Sequence, residues 1–307
     1  MENQPITTDK EILGFITPNI MAITLIALTK TFSVHVGEAD GFYFSEVIIV
    51  PILMGIMSAW HWRDMELTTR RTWFYNFLNC VIAAMLSGFV LGEGSICILI
   101  VSPLILCFVM IGYAIGRALF KKNNTGFNIS VVSLLTVVFI ADTLSKHEYN
   151  NVVADTIVIN APPAKIWKNV VAFKPIKQQP DFWLFRIGLP NPTAATVTGY
   201  HEGAGRKCIF STGYAIGERI STYEPGKNLT FDIIDQPRDP EMMNHLDLLK
   251  GQFLLKDNGN GTTTVTGTSW YRLHVFPAWY YDLWAQSIVR NVHIRVMQHI
   301  KELSEVK

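Results

Sequence analysis

The stretch VADTIVINAPPAKIW, residues 153–167, decides how the chain is read. Alternating apolar and polar residues with several β-branched side chains over Val153 to Asn160 predict a strand. Ala161-Pro162-Pro163 stops that strand, because proline offers no N–H to a ladder and fixes its own φ. Ala164 to Val171 then begins a helix.

Downstream, six further short strands are expected, near Ala195 to Tyr200, Arg206 to Ser211, Ala215 to Tyr223, Asn228 to Ile234, Lys250 to Lys256 and Thr262 to Leu273. Glu-Gly-Ala-Gly at 202–205, Glu-Pro-Gly-Lys at 224–227 and Asp-Asn-Gly-Asn-Gly at 257–261 supply the turn chemistry between them. A meander of this kind makes an antiparallel sheet. The chain closes with a long helix from about Pro277 to Val306, Pro277 sitting in the first turn where its missing N–H is harmless. One apolar stripe, Trp284, Ile288, Val292, Val296, Ile300 and Leu303, is legible on it. A curved sheet gripping that helix is the expected arrangement.

Upstream, the composition changes. Only 17% of the 307 residues are charged, and the deficit lies in the first half. A bilayer core about 30 Å thick asks for roughly 20 apolar helical residues. Five stretches approach that length: Ile12 to Val34, Phe42 to Trp60, Trp73 to Leu91, Ser95 to Leu119 and Ile129 to Leu144, the last being short and carrying Asp142 near its end. The expected layout is therefore an all-α transmembrane bundle of four to five helices over 1–148, followed by a soluble α+β helix-grip domain over 149–307. Arg63, Arg70 and Arg71, then Arg117, Lys121 and Lys122, fall in alternate connections, whereas those holding Glu38 with Asp40, and Glu93, lack Lys and Arg. Positive connections stay cytoplasmic. Five crossings then put the N-terminus in the cytoplasm and the C-terminal domain on the outer, periplasmic face of a bacterial inner membrane; four would put that domain inside. No basic n-region precedes the first apolar stretch, so it is expected to remain as a helix.

The second half resembles the SRPBCC superfamily, the helix-grip domains that include START lipid-binding proteins, Bet v 1 allergens and polyketide cyclase-like proteins. The resemblance rests on DTIVINAPPAKIW, GQFLL, GTTTVTGTSWYR and the closing YYDLWAQSIVRNVHIRVMQHIKEL, and spans roughly Val153 to Glu305. Segments like DFWLFRIGLP and CIFSTG are similar to those of bacterial members with N-terminal membrane helices. It implies an apolar cavity between sheet and long helix that takes a hydrophobic small molecule or lipid. The candidate lining residues are Trp183, Phe185, Phe210, Tyr214, Phe231, Phe253, Trp270, Tyr271, Trp284 and Ile288, which would otherwise fill a closed core. A polyketide cyclase/dehydrase-like or hydrolase enzyme and a protein-interaction or assembly module are the alternative functions.

Other chemistry has little in its favour. A net charge of +1 provides no field for nucleic acid. Histidines 201, 245, 274 and 293 lack the close spacing of metal ligands, so neither a metal nor a cofactor is expected. His245 and Asp247 alternate in a connection that could lid the cavity, which makes them the candidate polar pair at its mouth. His293 and Arg295 are expected to orient the packing of the last helix. Cys208 and Ser211 share a strand without a Gly-x-Ser-x-Gly elbow. The expected partners are thus the bilayer and an apolar ligand.

Overall fold

The computed structural model describes residues 7–36, 44–120, 129–143, 148–236, 241 and 245–305. It divides into two compact units, Met1–His147 and Glu148–Lys307.

The first unit is helical: α1 (Thr7–Val36), α2 (Ser45–His61, opening with a wide π turn over Ser45–Ile49), α3 (Thr69–Leu91), α4 (Ser95–Leu119) and α5 (Ile129–Thr143). Three helical stretches are long and apolar enough to cross a membrane, Asp9–Thr31, Thr69–Leu91 and Ser95–Leu119; Ser45–His61 is a shorter apolar helix, and α5 has 15 residues. Phe42, Leu144 and the connection residues Glu38, Asp40, Lys121 and Lys122 lie outside the described residues.

Small residues bring α2 and α4 into backbone contact. A methyl group on Gly112 would overlap the Ile52 carbonyl, and one on Gly55 would overlap the Val109 carbonyl. Close approach through glycine brings the two backbones within range of direct dispersion contacts. Polar side chains join the other helices: Asn79 Nδ2 donates to Ser58 Oγ at 3.0 Å and to the Gly14 carbonyl at 3.2 Å, while Asn19 Nδ2 donates to Asn79 Oδ1 at 2.8 Å. Lys30 pairs with Glu93, and the Asp142 carboxylate accepts the Ser45 N–H at 2.6 Å at the start of α2. Gly112→Leu is expected to force α2 and α4 apart, cutting the yield of folded protein in detergent and lowering its unfolding midpoint; Gly112→Ala should do so more mildly. Unchanged midpoints for both would show that the close contact is dispensable.

In the second unit, β1 (Tyr149–Ile159) ends where Pro162 adopts an extended N-cap conformation, and Pro163 opens α6 (Pro163–Val171). A short α7 (Trp183–Arg186) leads into β2 (Pro192–Val197), β3 (Gly205–Phe210), β4 (Ala215–Glu224), β5 (Asn228–Asp235), β6 (Leu246–Asp257) and β7 (Thr263–Leu273), and α8 (Ala278–Glu305) completes the chain. The strands form one antiparallel sheet in the order β1-β7-β6-β5-β4-β3-β2. Register breaks at Pro192/Ala194, Gly217/Glu218, Ile220/Thr222 and Leu248/Lys250 increase its local twist and bend. Gly226, Gly259 and Gly261 take positive φ in the hairpins, where a side chain would be strained. The edge of β2 is covered by Phe173, which exchanges two backbone hydrogen bonds with Ala195.

The sheet curls around α8 in a helix-grip arrangement, with Ile159, Ile166, Val170, Leu229, Val265, Met297 and Ile300 in one buried core. The buried stripe of α8 corrects the one read from apolar residues alone. Asp282, Ala285, Val289, His293, Val296, Met297 and Ile300 face inward, Trp284 and Ile288 are half-buried to one side, and Val292, also half-buried, borders the space between helix and sheet. The shift has a physical cause: two polar residues on the inner face find hydrogen-bond partners on the sheet, which removes the penalty for burying them.

Candidate functional site

Alternation along the strands points one set of side chains at α8. From β3 come Arg206, Cys208 and Phe210; from β4, Ile216 and Glu218; from β5, Phe231; from β6, Gly251 and Phe253; and from β7, Ser269. Together with Val292, His293 and Val296 of α8 they line a partly open cavity of about 80 Å³. That is room for roughly three water-sized groups at about 30 Å³ each.

Of the candidate lining residues, Phe210, Phe231 and Phe253 stand in this wall. The others lie elsewhere. Phe185 borders a separate polar groove of about 470 Å³ beside Arg295 and His299. Trp183 and Tyr214 are 48% and 44% exposed. Trp270 lies near Lys250, whose Nζ is 5.7 Å from the ring centre. Tyr271 is fully buried and donates its hydroxyl hydrogen to Asp282 at 2.6 Å, and burial raises its pKa. Trp284 and Ile288 flank the buried stripe.

Two polar groups interrupt the apolar wall. Arg206 and Glu218 are register partners on β3 and β4 and form an ion pair, with side chains 3% and 5% exposed. Arg206 Nε also donates to the Val171 carbonyl at 3.0 Å, and its guanidinium sits 4.6 Å above the Phe231 ring. Burial pushes the Glu218 carboxyl above the ordinary carboxylate range, with Arg206 pulling it back. The Cys208 thiol beside them is pushed up to about 12 by burial, which leaves it protonated and a poor nucleophile.

The second polar group was not singled out as a unit by sequence. His293 Nδ1 is 2.9 Å from Asp155 Oδ2, and His293 Nε2 is 2.8 Å from Ser269 Oγ. A carboxylate only accepts, so Nδ1 carries the hydrogen and Nε2 accepts from the serine hydroxyl. Arg290 Nε holds the other carboxylate oxygen of Asp155 at 2.9 Å. Asp155 pairs across the ladder with Gly267, and the bare Gly267 position gives the His293 ring its place: a Cβ there would lie 3.7 Å from His293 Cγ and 3.3 Å from Met297 Sδ. The sequence carried a signal for both groups. Asp155, Arg206 and Glu218 interrupt inward positions that are otherwise apolar, such as Val153, Ile157, Phe210 and Ile220.

Burial lowers the His293 pKa below its ordinary value, opposed by Asp155. The imidazole is therefore neutral in the fold at pH 7. As pH falls through about 6.5 the unfolded chain takes up this proton first, so the fold loses stability from there down through the lower folded pKa. A falling unfolding midpoint between about pH 7 and pH 5 is expected, and His293→Gln should flatten that part of the curve. An unaltered slope in the variant would assign the acid sensitivity to other groups.

Both members of the expected polar pair, His245 and Asp247, lie beside His274. Asp247 Oδ2 lies 2.7 Å from His274 Nε2, and the His274 N–H donates to the His245 carbonyl at 3.0 Å. Residues 237–240 and 242–244 of the same connection lie outside the described residues. Among the described residues, no group of three or more His, Cys, Asp or Glu side chains is placed to hold a metal ion.

No family model and no curated protein matches the chain. Solved structures with a similar arrangement include a truncated norcoclaurine synthase from Thalictrum flavum, at 11% identity and TM-score 0.37, covering 53% of this chain and 99% of that one. A protein from Nitrosospira multiformis is 14% identical at TM-score 0.35, covering 50% and 96%. Another, from Thermus thermophilus, is 12% identical at TM-score 0.34, covering 50% and 97%. Overlaps this small carry no argument about what the present chain does.

Proposed function

We propose that the Glu148–Lys307 unit binds a small apolar molecule and that the helices of the first unit anchor it in a membrane. The observation that carries the binding reading is the cavity lined by Phe210, Phe231, Phe253, Val292 and Val296, with hydrogen-bonding groups at Ser269 and His293. Filling about 80 Å³ buries roughly three methylenes, worth about 0.8 kcal/mol each. So modest a gain favours a ligand that also offers a carbonyl or hydroxyl to the polar wall. Of a whole lipid chain, a cavity of this volume takes only a short segment.

Anchoring is supported by the outward faces of the helices. Ile20, Leu28, Phe77 and Met85 are 61%, 61%, 53% and 57% exposed, an apolar surface that a bundle in water would cover. A tether gives a ligand leaving the bilayer a high effective concentration at the cavity.

Native mass spectrometry of the full chain released from detergent, before and after organic extraction, tests the binding reading. A discrete additional mass that extraction removes, and that Val292→Phe fails to retain because the larger ring fills the cavity, is the expected result. A chain that carries no added mass and takes none up from a lipid extract would remove the reading.

A further inference from the structure

We propose that Ser269, His293 and Asp155 form a nucleophile relay and that the cavity is the acyl site of a hydrolase for short-chain carboxylic esters. The inference rests on the reading of the cavity as a ligand site and adds chemistry to it. Three observations support it. The distances, 2.8 Å from Ser269 Oγ to His293 Nε2 and 2.9 Å from His293 Nδ1 to Asp155 Oδ2, are those of a base hydrogen-bonded to its nucleophile and oriented by a carboxylate. Ser269 and His293 both line the cavity, so the hydroxyl and the base are presented to whatever occupies it. The imidazole is neutral near pH 7 because of its burial, which leaves Nε2 free to accept a proton.

The reaction balances with water as the only co-reactant. Ser269 Oγ attacks the ester carbonyl carbon while its proton passes to His293 Nε2. Collapse of the tetrahedral adduct breaks the bond to the alkoxy oxygen, which leaves as the alcohol with that proton, and an acyl-serine remains. Water, deprotonated by His293, then attacks the acyl carbon and releases the carboxylic acid, returning the proton to Ser269. Asp155 touches neither substrate nor reacting atom; it is a positioning residue that fixes the imidazole tautomer. The volume of about 80 Å³ favours a short acyl chain, of about three carbons.

The test uses the full chain in detergent, with p-nitrophenyl butyrate and p-nitrophenyl octanoate as substrates and a fluorophosphonate as a covalent probe. Expected are a fluorophosphonate adduct on the peptide containing Ser269, faster turnover of the butyrate than of the octanoate, and a loss of at least about a thousandfold in Ser269→Ala. Asp155→Asn should lower kcat and also move the acidic limb of the pH–rate profile to lower pH, because the carboxylate now raises the His293 pKa. A purely structural role would leave that limb in place. If Ser269→Ala does not fold, Ser269→Cys keeps the size and should accumulate a thioester from the butyrate.

Butyramide, an unreactive analogue, separates the two readings. Saturable butyramide binding by a chain that leaves Ser269 unlabelled, or whose esterase rate survives Ser269→Ala, would overturn the hydrolase and leave the binding site standing. A chain that neither binds butyramide nor takes the label loses both.

Discussion

Arg206→Met is expected to destabilise the sheet-and-helix unit by about 3–5 kcal/mol, a large part of what a domain of this size has to lose. The substitution leaves the Glu218 carboxylate buried against Cys208 and Phe231 without its ion-pair partner. It also releases the Val171 carbonyl, which accepts Arg206 Nε at 3.0 Å, and the stack over the Phe231 ring. Glu218→Leu should cost less, because the guanidinium keeps the Val171 carbonyl and the ring face. The double variant Arg206→Met with Glu218→Leu should recover most of the loss, since two apolar side chains need no desolvated charge in the wall. Denaturant unfolding of the four proteins, followed by tryptophan fluorescence, closes the cycle. Additive losses in the double variant would show that the two charges do not act as a pair.

Phe231→Ala is expected to cost about 3–5 kcal/mol and at the same time to widen what the cavity accepts. The ring lies between two neighbours that cannot both follow it inward. Gly251 passes directly beneath, where even a methyl group would overlap the ring, and the Phe253 ring centre is 6.4 Å away. Its removal joins the void it leaves to the existing space of about 80 Å³. Longer apolar ligands, and in the ester assay longer acyl chains, should then gain relative to short ones. The two readouts are independent: unfolding reports the lost packing, and the ratio of octanoate to butyrate turnover reports the shape. A variant that is destabilised but keeps the parent chain-length preference would place the ligand elsewhere.

Much of the architecture could be read from local pattern. The strand expected from Ala215 to Tyr223 is observed as Ala215–Glu224, and that expected from Thr262 to Leu273 as Thr263–Leu273. Both are bounded by turn residues whose φ preferences act over three or four positions, and both alternate with period two. The helix expected from about Pro277 is observed as Ala278–Glu305 for the same reason: its signals are local. Edges were less legible where side chains from distant strands decide pairing. β6 was expected from Lys250 but begins at Leu246, where the sheet continues through a bulge opposite Tyr271 and Trp270.

The candidate site divides along the same line. Phe210, Phe231 and Phe253 could be chosen because large apolar residues at alternate strand positions belong to the inner face of a curled sheet. Trp183 and Tyr214 were chosen on the same residue chemistry and lie largely at the surface, since nothing local to them says which face is covered.

By itself, then, the sequence determined the helix-rich first half, the order of strands and helices in the second, and the curled sheet closed by a long helix. Periodicity, proline and glycine carry that information within a few residues. Only the tertiary structure decided which polar side chains go inside. Asp155, Ser269 and His293 come from β1, β7 and α8, and His293 meets a carboxylate 138 residues away. A buried polar group is tolerated only when a partner is delivered to it, and delivery depends on strand register and on the rotation of α8 against the sheet, which no short stretch of residues encodes.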